Sequence, residues 1–182
     1  MMASLFGCSS GFKYARYSSS DPEINIKMDY LAGWKFTEDR GAKNSYAQVV
    51  FIEPLETRKE KPLGASLAVT VIDSSNIGVS PATIETVADD IVKKRLMFSG
   101  AKVMSRSDMK MRNRKAVDIL LSYKRTDKIY SYNPKMVSVK ERIVIFEDGT
   151  KFYMIKYKAR EEPFEKYNKA INHCVSSLRL KT

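Results

Sequence analysis

One histidine, two cysteines and no glycine-rich phosphate loop leave this chain of 182 residues little equipment for catalysis. A general base, a nucleophile or a set of metal ligands works only when several such groups are held together. His173 and Cys174 lie side by side in one segment, and Cys8 stands far from both. Two cysteines build neither a disulfide framework nor a zinc ribbon. Cys174 falls on an apolar stripe, where a free thiol behaves as a small buried apolar group. The pairs Asp89-Asp90 and Glu161-Glu162 are adjacent in sequence, so on a helix they splay apart and read as solvated charges. The sequence therefore predicts no enzyme, no cofactor and no metal site.

What does concentrate is positive charge. The formal net charge is +11, and residues 1–100 carry 12 basic and 12 acidic side chains against 20 and 9 in residues 101–182. Arg106, Lys110, Arg112, Arg114, Lys115, Lys124, Arg125 and Lys128 surround one apolar run, Ala116 to Tyr123, with Tyr130 and Tyr132 just beyond. These ten residues are the candidate partner-binding set. Such a one-sided field raises encounter rates with anionic surfaces. Tyrosine and arginine anchor protein interfaces, and Lys-Ile-Tyr-Ser-Tyr-Asn-Pro-Lys reads as an exposed loop. The same mixture would hold RNA or single-stranded DNA through phosphate contacts and stacking. An acidic protein surface is the expected partner; nucleic acid or anionic lipid is the first alternative and small-ligand binding the second.

The elements that must position these residues follow from periodicity. Arg142–Phe146 and Phe152–Tyr157 alternate around Asp148-Gly149, the pair expected to form a two-residue type I′ turn. That register sets Ile145 against Phe152, Ile143 against Met154 and Val144 against Tyr153, with apolar side chains on both faces of the sheet. Beyond Pro163, residues Phe164, Tyr167, Ile171, Cys174, Val175 and Leu178 recur at helical spacing and form one buried stripe. Upstream, Ile24–Met28, Gly33–Phe36, Ala47–Glu53 and Ser66–Asp73 read as strands or strand starts. A helix follows, with Ser80 as its cap, Pro81 at its first position, Ile84 to Leu96 as its body and Gly100 at its end. Lys93, Lys94 and Arg95 complement the dipole of its last turn. Val103-Met104, Met109–Met111 and the strong run Ala116–Tyr123 complete an α+β pattern without repeats.

A chain of this length suits one well-packed core, so residues 24–182 are expected to form a single domain and residues 1–23 a tail or tether. No apolar run of about 18 residues occurs, and no transmembrane helix is expected. Leu5-Phe6-Gly7-Cys8-Ser9-Ser10 resembles the end of a bacterial lipoprotein signal, which makes Cys8 a candidate lipidation site. Only seven residues precede it, fewer than a basic start and an apolar stretch require.

The order of elements, Gly33-Trp34 at the end of an N-terminal strand, the Ser80-Pro81 helix start, and the Asp148-Gly149 hairpin running into a helix that ends Cys174-Val175-Ser176-Ser177-Leu178 together resemble the PsbP-like family. The likeness covers residues 24–180. The family includes the extrinsic lumenal subunit of photosystem II, cyanobacterial and envelope lipoproteins, and a Ran-binding nuclear-import factor. Leu31-Ala32-Gly33 stands where the family usually shows a proline shortly before the tryptophan. The resemblance implies an α/β/α sandwich around a central antiparallel sheet, acting without a reaction of its own as an accessory subunit docked on a membrane-associated complex. It implies a location on the lumenal or periplasmic side of a membrane, in a thylakoid or a bacterial envelope. The metal sites proposed in some members use histidines and carboxylates, and none is carried over to this chain.

Overall fold

The computed structural model describes residues 11–57, 63–126 and 135–181. Its strands follow the alternating segments. In chain order they are β1 (Tyr14–Ser18), β2 (Ile26–Leu31), β3 (Lys35–Arg40), β4 (Ala47–Ile52) and β5 (Ser66–Asp73), then helix α1 (Ile84–Leu96), then β6 (Lys102–Met111), β7 (Arg114–Thr126), β8 (Met136–Asp148) and β9 (Lys151–Arg160). Helix α2 (Glu161–Ser177) and the short β10 (Arg179–Leu180) close the chain. Seven strands form an antiparallel sheet in the order β3-β4-β5-β9-β8-β7-β6, and β1-β2-β10 form a second, smaller sheet.

Period-two alternation gives the large sheet two apolar faces, and each receives a helix. Ile84, Val87 and Ala88 of α1 pack on Val117, Ile119, Ile143, Ile145, Phe152 and Met154. On the opposite face Phe164, Tyr167, Ile171 and Cys174 of α2, with Ile26 and Met28 of β2, cover Val144, Phe146, Tyr153, Ile155 and Tyr157. The result is an α/β/α sandwich of the α+β class around a central antiparallel sheet.

Three local expectations shift. Asp148 pairs with Lys151, so Gly149 and Thr150 form the loop, and Ile145 opposes Met154 while Val144 opposes Ile155. A type I′ turn needs positive φ at both central residues, and among the described residues Gly149 (φ +62°) supplies it while Thr150 does not. The slip is two residues, which leaves every side chain on its expected face. Helix α1 begins at Ile84 rather than Pro81, because Thr83 and Thr86 form a reciprocal cap: the Thr86 amide donates to Oγ1 of Thr83 at 3.2 Å and the Thr83 amide to Oγ1 of Thr86 at 2.9 Å. Val103-Met104 and Met109–Met111 belong to one strand, β6, with a register shift between Val103 and Ser105.

Tyr14–Ser18, within the expected tail, is instead strand β1, paired along its length with β2. The tyrosine ring of Tyr17 makes the difference. It is buried edge-on against Phe36 and Phe51, both at 5.2 Å between ring centres, and its hydroxyl donates to Oε1 of Glu38 at 2.5 Å. Among the described residues no helix is long and apolar enough to cross a membrane.

Candidate functional site

Strand alternation separates the cations that the sequence groups. Arg106, Lys110 and Lys115 share the register positions of Ile119 and Val117, on the α1 face, as does Arg125, whereas Arg114 alternates to the α2 face. Several also have partners. Arg106 Nη1 reaches Asp89 Oδ1 of α1 at 2.5 Å, Lys115 meets Glu85 of the same helix, and Arg114 Nε donates to Asp148 Oδ1 at 2.7 Å. Arg112 occupies the β6–β7 turn at φ +57° and donates to the carbonyls of Leu178 and Ser176 at 3.0 and 3.2 Å. Exposed ion pairs such as those of Arg106, Arg114 and Lys115 are weak and screened by solvent, so a partner's carboxylate can compete for these cations. Among the described residues Lys110, Lys124 and Arg125 meet no carboxylate. Lys128, Tyr130, Tyr132 and Cys8 lie outside the described residues.

A different group comes together where α1 ends. Gly100, at φ +63°, lets the chain turn back into β6, and its neighbours Leu96, Met97 and Phe98 are left exposed, Met97 by 84%. The Phe98 ring stacks on Tyr123 at 5.1 Å, and the Arg95 guanidinium lies 5.9 Å from its centre. The amide of Lys124 donates to the carbonyl of Ser99 at 2.8 Å and ties this exit to β7. Between them opens a depression of about 540 Å³ bordered by Met97, Phe98, Arg125, Met136 and Lys158, with Lys124 on its rim.

Beneath it lies Glu141, only 2% exposed on an inward position of β8. Arg95 Nε donates to its Oε2 at 2.6 Å, Arg95 Nη2 to its Oε1 at 3.1 Å, and the Tyr123 hydroxyl to Oε2 at 3.0 Å. The hydrogen bonds to Glu141 hold the Arg95 guanidinium above its ordinary range, against partial burial. Burial first, then the Glu141 charge, pushes the Tyr123 phenol up. A second depression of about 220 Å³ continues along the flank of α1 past Arg95, with Ile91, Lys94 and Lys156 on its walls. Burial pushes the ammonium groups of Lys156 and Lys158 down, only partly opposed by the charge of Glu141. Among the described residues neither lysine meets a carboxylate or another acceptor at bonding distance.

The sequence carried a signal for these residues. The α1-facing positions of β9 run Phe152, Met154, Lys156, Lys158, and those of β8 run Val139, Glu141, Ile143, Ile145; a charged residue where alternation calls for an apolar one marks an inward polar site. Glu53, 4% exposed on the other side, is a structural counterpart that receives the Ala65 amide at 3.0 Å and the Tyr167 hydroxyl at 2.7 Å. Elsewhere, Nε2 of His173 lies 3.2 Å from Oδ2 of Asp29 and its ring lies tilted by 38° against that of Tyr14, with 4.2 Å between centres. The Cys174 thiol is buried, and burial pushes it up to about 12, so it is no nucleophile at neutral pH. No group of three or more His, Cys, Asp or Glu side chains among the described residues is arranged to hold a metal ion.

The whole arrangement superposes on the solution structure of the cyanobacterial PsbP, CyanoP, from Synechocystis sp. PCC 6803, with a TM-score of 0.60 over 99% of this chain and 98% of that one, at 14% identity. The fold is PsbP-like. Within the same fold, LpqN of Mycobacterium tuberculosis, described as involved in cell envelope biogenesis, matches with a TM-score of 0.56 at 12% identity, covering 94% of this chain and 92% of its own. The Ran-binding protein Mog1p of Saccharomyces cerevisiae matches with a TM-score of 0.57 at 8% identity, covering 93% and 96%. No family model and no curated protein sequence matches the chain. Likeness at this identity is a likeness of backbone architecture, which many functions share.

Proposed function

We propose that this chain is a non-enzymatic docking subunit, binding the acidic surface of a larger, membrane-associated protein complex on the lumenal or periplasmic side. The observation that carries this reading is the end of α1, where Leu96, Met97, Phe98 and Met136 stand exposed and apolar beside Lys124, Arg125 and Lys158. An apolar centre with a charged rim is the anatomy of a protein interface, and long-range attraction from 20 basic against 9 acidic side chains in residues 101–182 would steer an acidic partner onto it. The cations of β6 and β7, Arg106, Lys110, Arg112, Arg114 and Lys115, extend the positive field, and Lys128, Tyr130 and Tyr132 complete the proposed set. LpqN and Mog1p, one placed in envelope biogenesis and the other Ran-binding, are compatible with an accessory role on the same fold.

Single-stranded nucleic acid is less well served, since successive bases need several exposed rings. On this surface the half-exposed Phe98 already stacks on Tyr123. The test is capture of partners from native host membranes by the tagged chain and by its Met97→Asp/Lys124→Glu/Arg125→Glu variant. Recovery of one membrane complex by wild type and its loss with the variant is the expected outcome. Equal recovery by both removes this surface from the reading, and recovery of nucleic acid alone replaces it.

A further inference from the structure

The two depressions that share Arg95 carry unbalanced charge. Lys158 borders the larger and Lys156 the smaller, where Asp90 is already paired with Lys94 at 2.6 Å, and the carboxylate beneath them, Glu141, is already engaged. Both oxygens of that carboxylate are engaged by Arg95, and one also by Tyr123. Lys158 stands directly opposite Glu141 in the β8–β9 ladder, yet no ion pair joins them. A sheet position that faces a helix normally holds an apolar side chain, as Met154 and Phe152 do two and four residues before Lys156 on the same strand. Two lysines there raise the energy of the isolated chain, because a recessed ammonium loses hydration while the nearby Glu141, already engaged by Arg95, offsets only part of that loss. Such a cost is tolerated where a ligand supplies the missing charge.

Resting on the docking reading above, we infer that the partner segment entering these two neighbouring depressions presents an acidic side chain to Lys158 and Lys156 and lays an adjacent apolar side chain against Met97, Phe98 and Met136. Phe98, Met136 and Lys158 border one depression, so neighbouring residues of one segment reach both the charge and the apolar wall. The second depression shares Arg95 with the first and holds Lys156, two residues from Lys158 on the same face of β9, so both ammonium groups are within reach of one segment. A volume of about 540 Å³ lies within the range of about 300–1,000 Å³ that holds small groups. Recessed lysines select a protruding carboxylate. A flat anionic surface such as a lipid bilayer meets the rim cations Lys124 and Arg125 first.

The probes are the peptide acetyl-Asp-Leu-Glu-Phe-Asp-amide, its uncharged counterpart acetyl-Asn-Leu-Gln-Phe-Asn-amide, and phosphatidylglycerol vesicles, each titrated into the ¹⁵N-labelled full chain. The acidic peptide should move the amide resonances of Phe98, Tyr123, Met136 and Lys158, while the uncharged peptide and the vesicles leave them in place. Lys156→Gln/Lys158→Gln should weaken the acidic peptide at least about tenfold, whereas Lys158→Arg should retain it. A melting temperature of the double variant no lower than that of wild type separates this loss from unfolding. Equal shifts with both peptides, shifts confined to β6, or the same shifts with vesicles would overturn the inference. In membrane capture, a double variant that still recovers the partner overturns the inference and leaves docking intact. A wild-type chain that recovers nothing takes both down.

Discussion

On the α2 face of the large sheet Val144, Phe146, Tyr153, Ile155 and Tyr157 are all buried beneath α2 and the small sheet, whereas on the α1 face the same alternation admits Glu141, Lys156 and Lys158. The first face is closed by aromatic pairs, with Phe146 stacked on Tyr153 at 4.9 Å and Tyr157 on Phe164 at 4.6 Å. The second ends in exposed Leu96, Met97 and Phe98. A helix of 13 residues covers less sheet than one of 17 joined by three further strands. The difference teaches where stability and recognition reside in this fold. Apolar burial on the α2 side holds the sandwich together, and the shorter cover on the α1 side leaves polar groups within a partner's reach.

The sharpest way to break this contrast is Phe164→Ala. Removing a buried aromatic that stacks on Tyr157 should cost about 3–5 kcal/mol in urea unfolding, while Met97→Ala on the opposite face should cost less than about 0.5 kcal/mol; similar losses at both sites would erase the distinction. Next comes Glu141→Ala, which strands the Arg95 guanidinium and the Tyr123 hydroxyl. With Glu141 buried and Arg95 still partly solvated, about 2–3 kcal/mol should be lost. A neutral result would show that water satisfies both donors.

A smaller effect concerns pH. A lysine held below its ordinary value binds fewer protons in the folded chain than in the unfolded one across the window between the two values, so stability should rise with pH there. Lys156→Met should melt at a higher temperature than wild type at neutral pH and show a flatter rise across that window, as read by circular dichroism. A wild-type melting temperature that falls across the same window would contradict the recessed-lysine picture. The smallest effect is expected from Lys115→Ala, which removes an exposed, solvent-screened pair with Glu85 and should leave the urea unfolding midpoint close to that of wild type. A larger loss would give the β6–β7 cations a structural role beyond docking.

Legibility differed by element. The faces of the closing hairpin and the stripe of α2 followed from spacing, since a two-residue slip in the turn does not change which way a strand residue points. The cap of α1 differs from the expected Ser80-Pro81 start, because Ser80-Pro81 and Thr83–Thr86 both satisfy local capping rules and only the geometry of Thr83 chooses between them. Strand β1 was hidden because Tyr14–Ser18 has no strong alternation of its own; its order comes from Tyr17 packing on Phe36 and Phe51, far along the chain. The depression at the end of α1 was hidden for a related reason. Arg95, Tyr123, Met136 and Lys158 come from four elements, and no window along the chain brings them together.

By itself, the order of residues determined the α+β class, the two helices, the two-sided sheet and the gathering of positive charge after residue 100. These depend on periodicity and composition, which act within one element at a time. Only the tertiary structure decided which cations lie on which face, that Arg106, Arg114 and Lys115 are paired within the chain, and that Lys156 and Lys158 sit recessed beside an already satisfied Glu141. The balance of charge at a site is a sum over elements distant in sequence. Strand register and helix cover set that sum, and no local pattern encodes it.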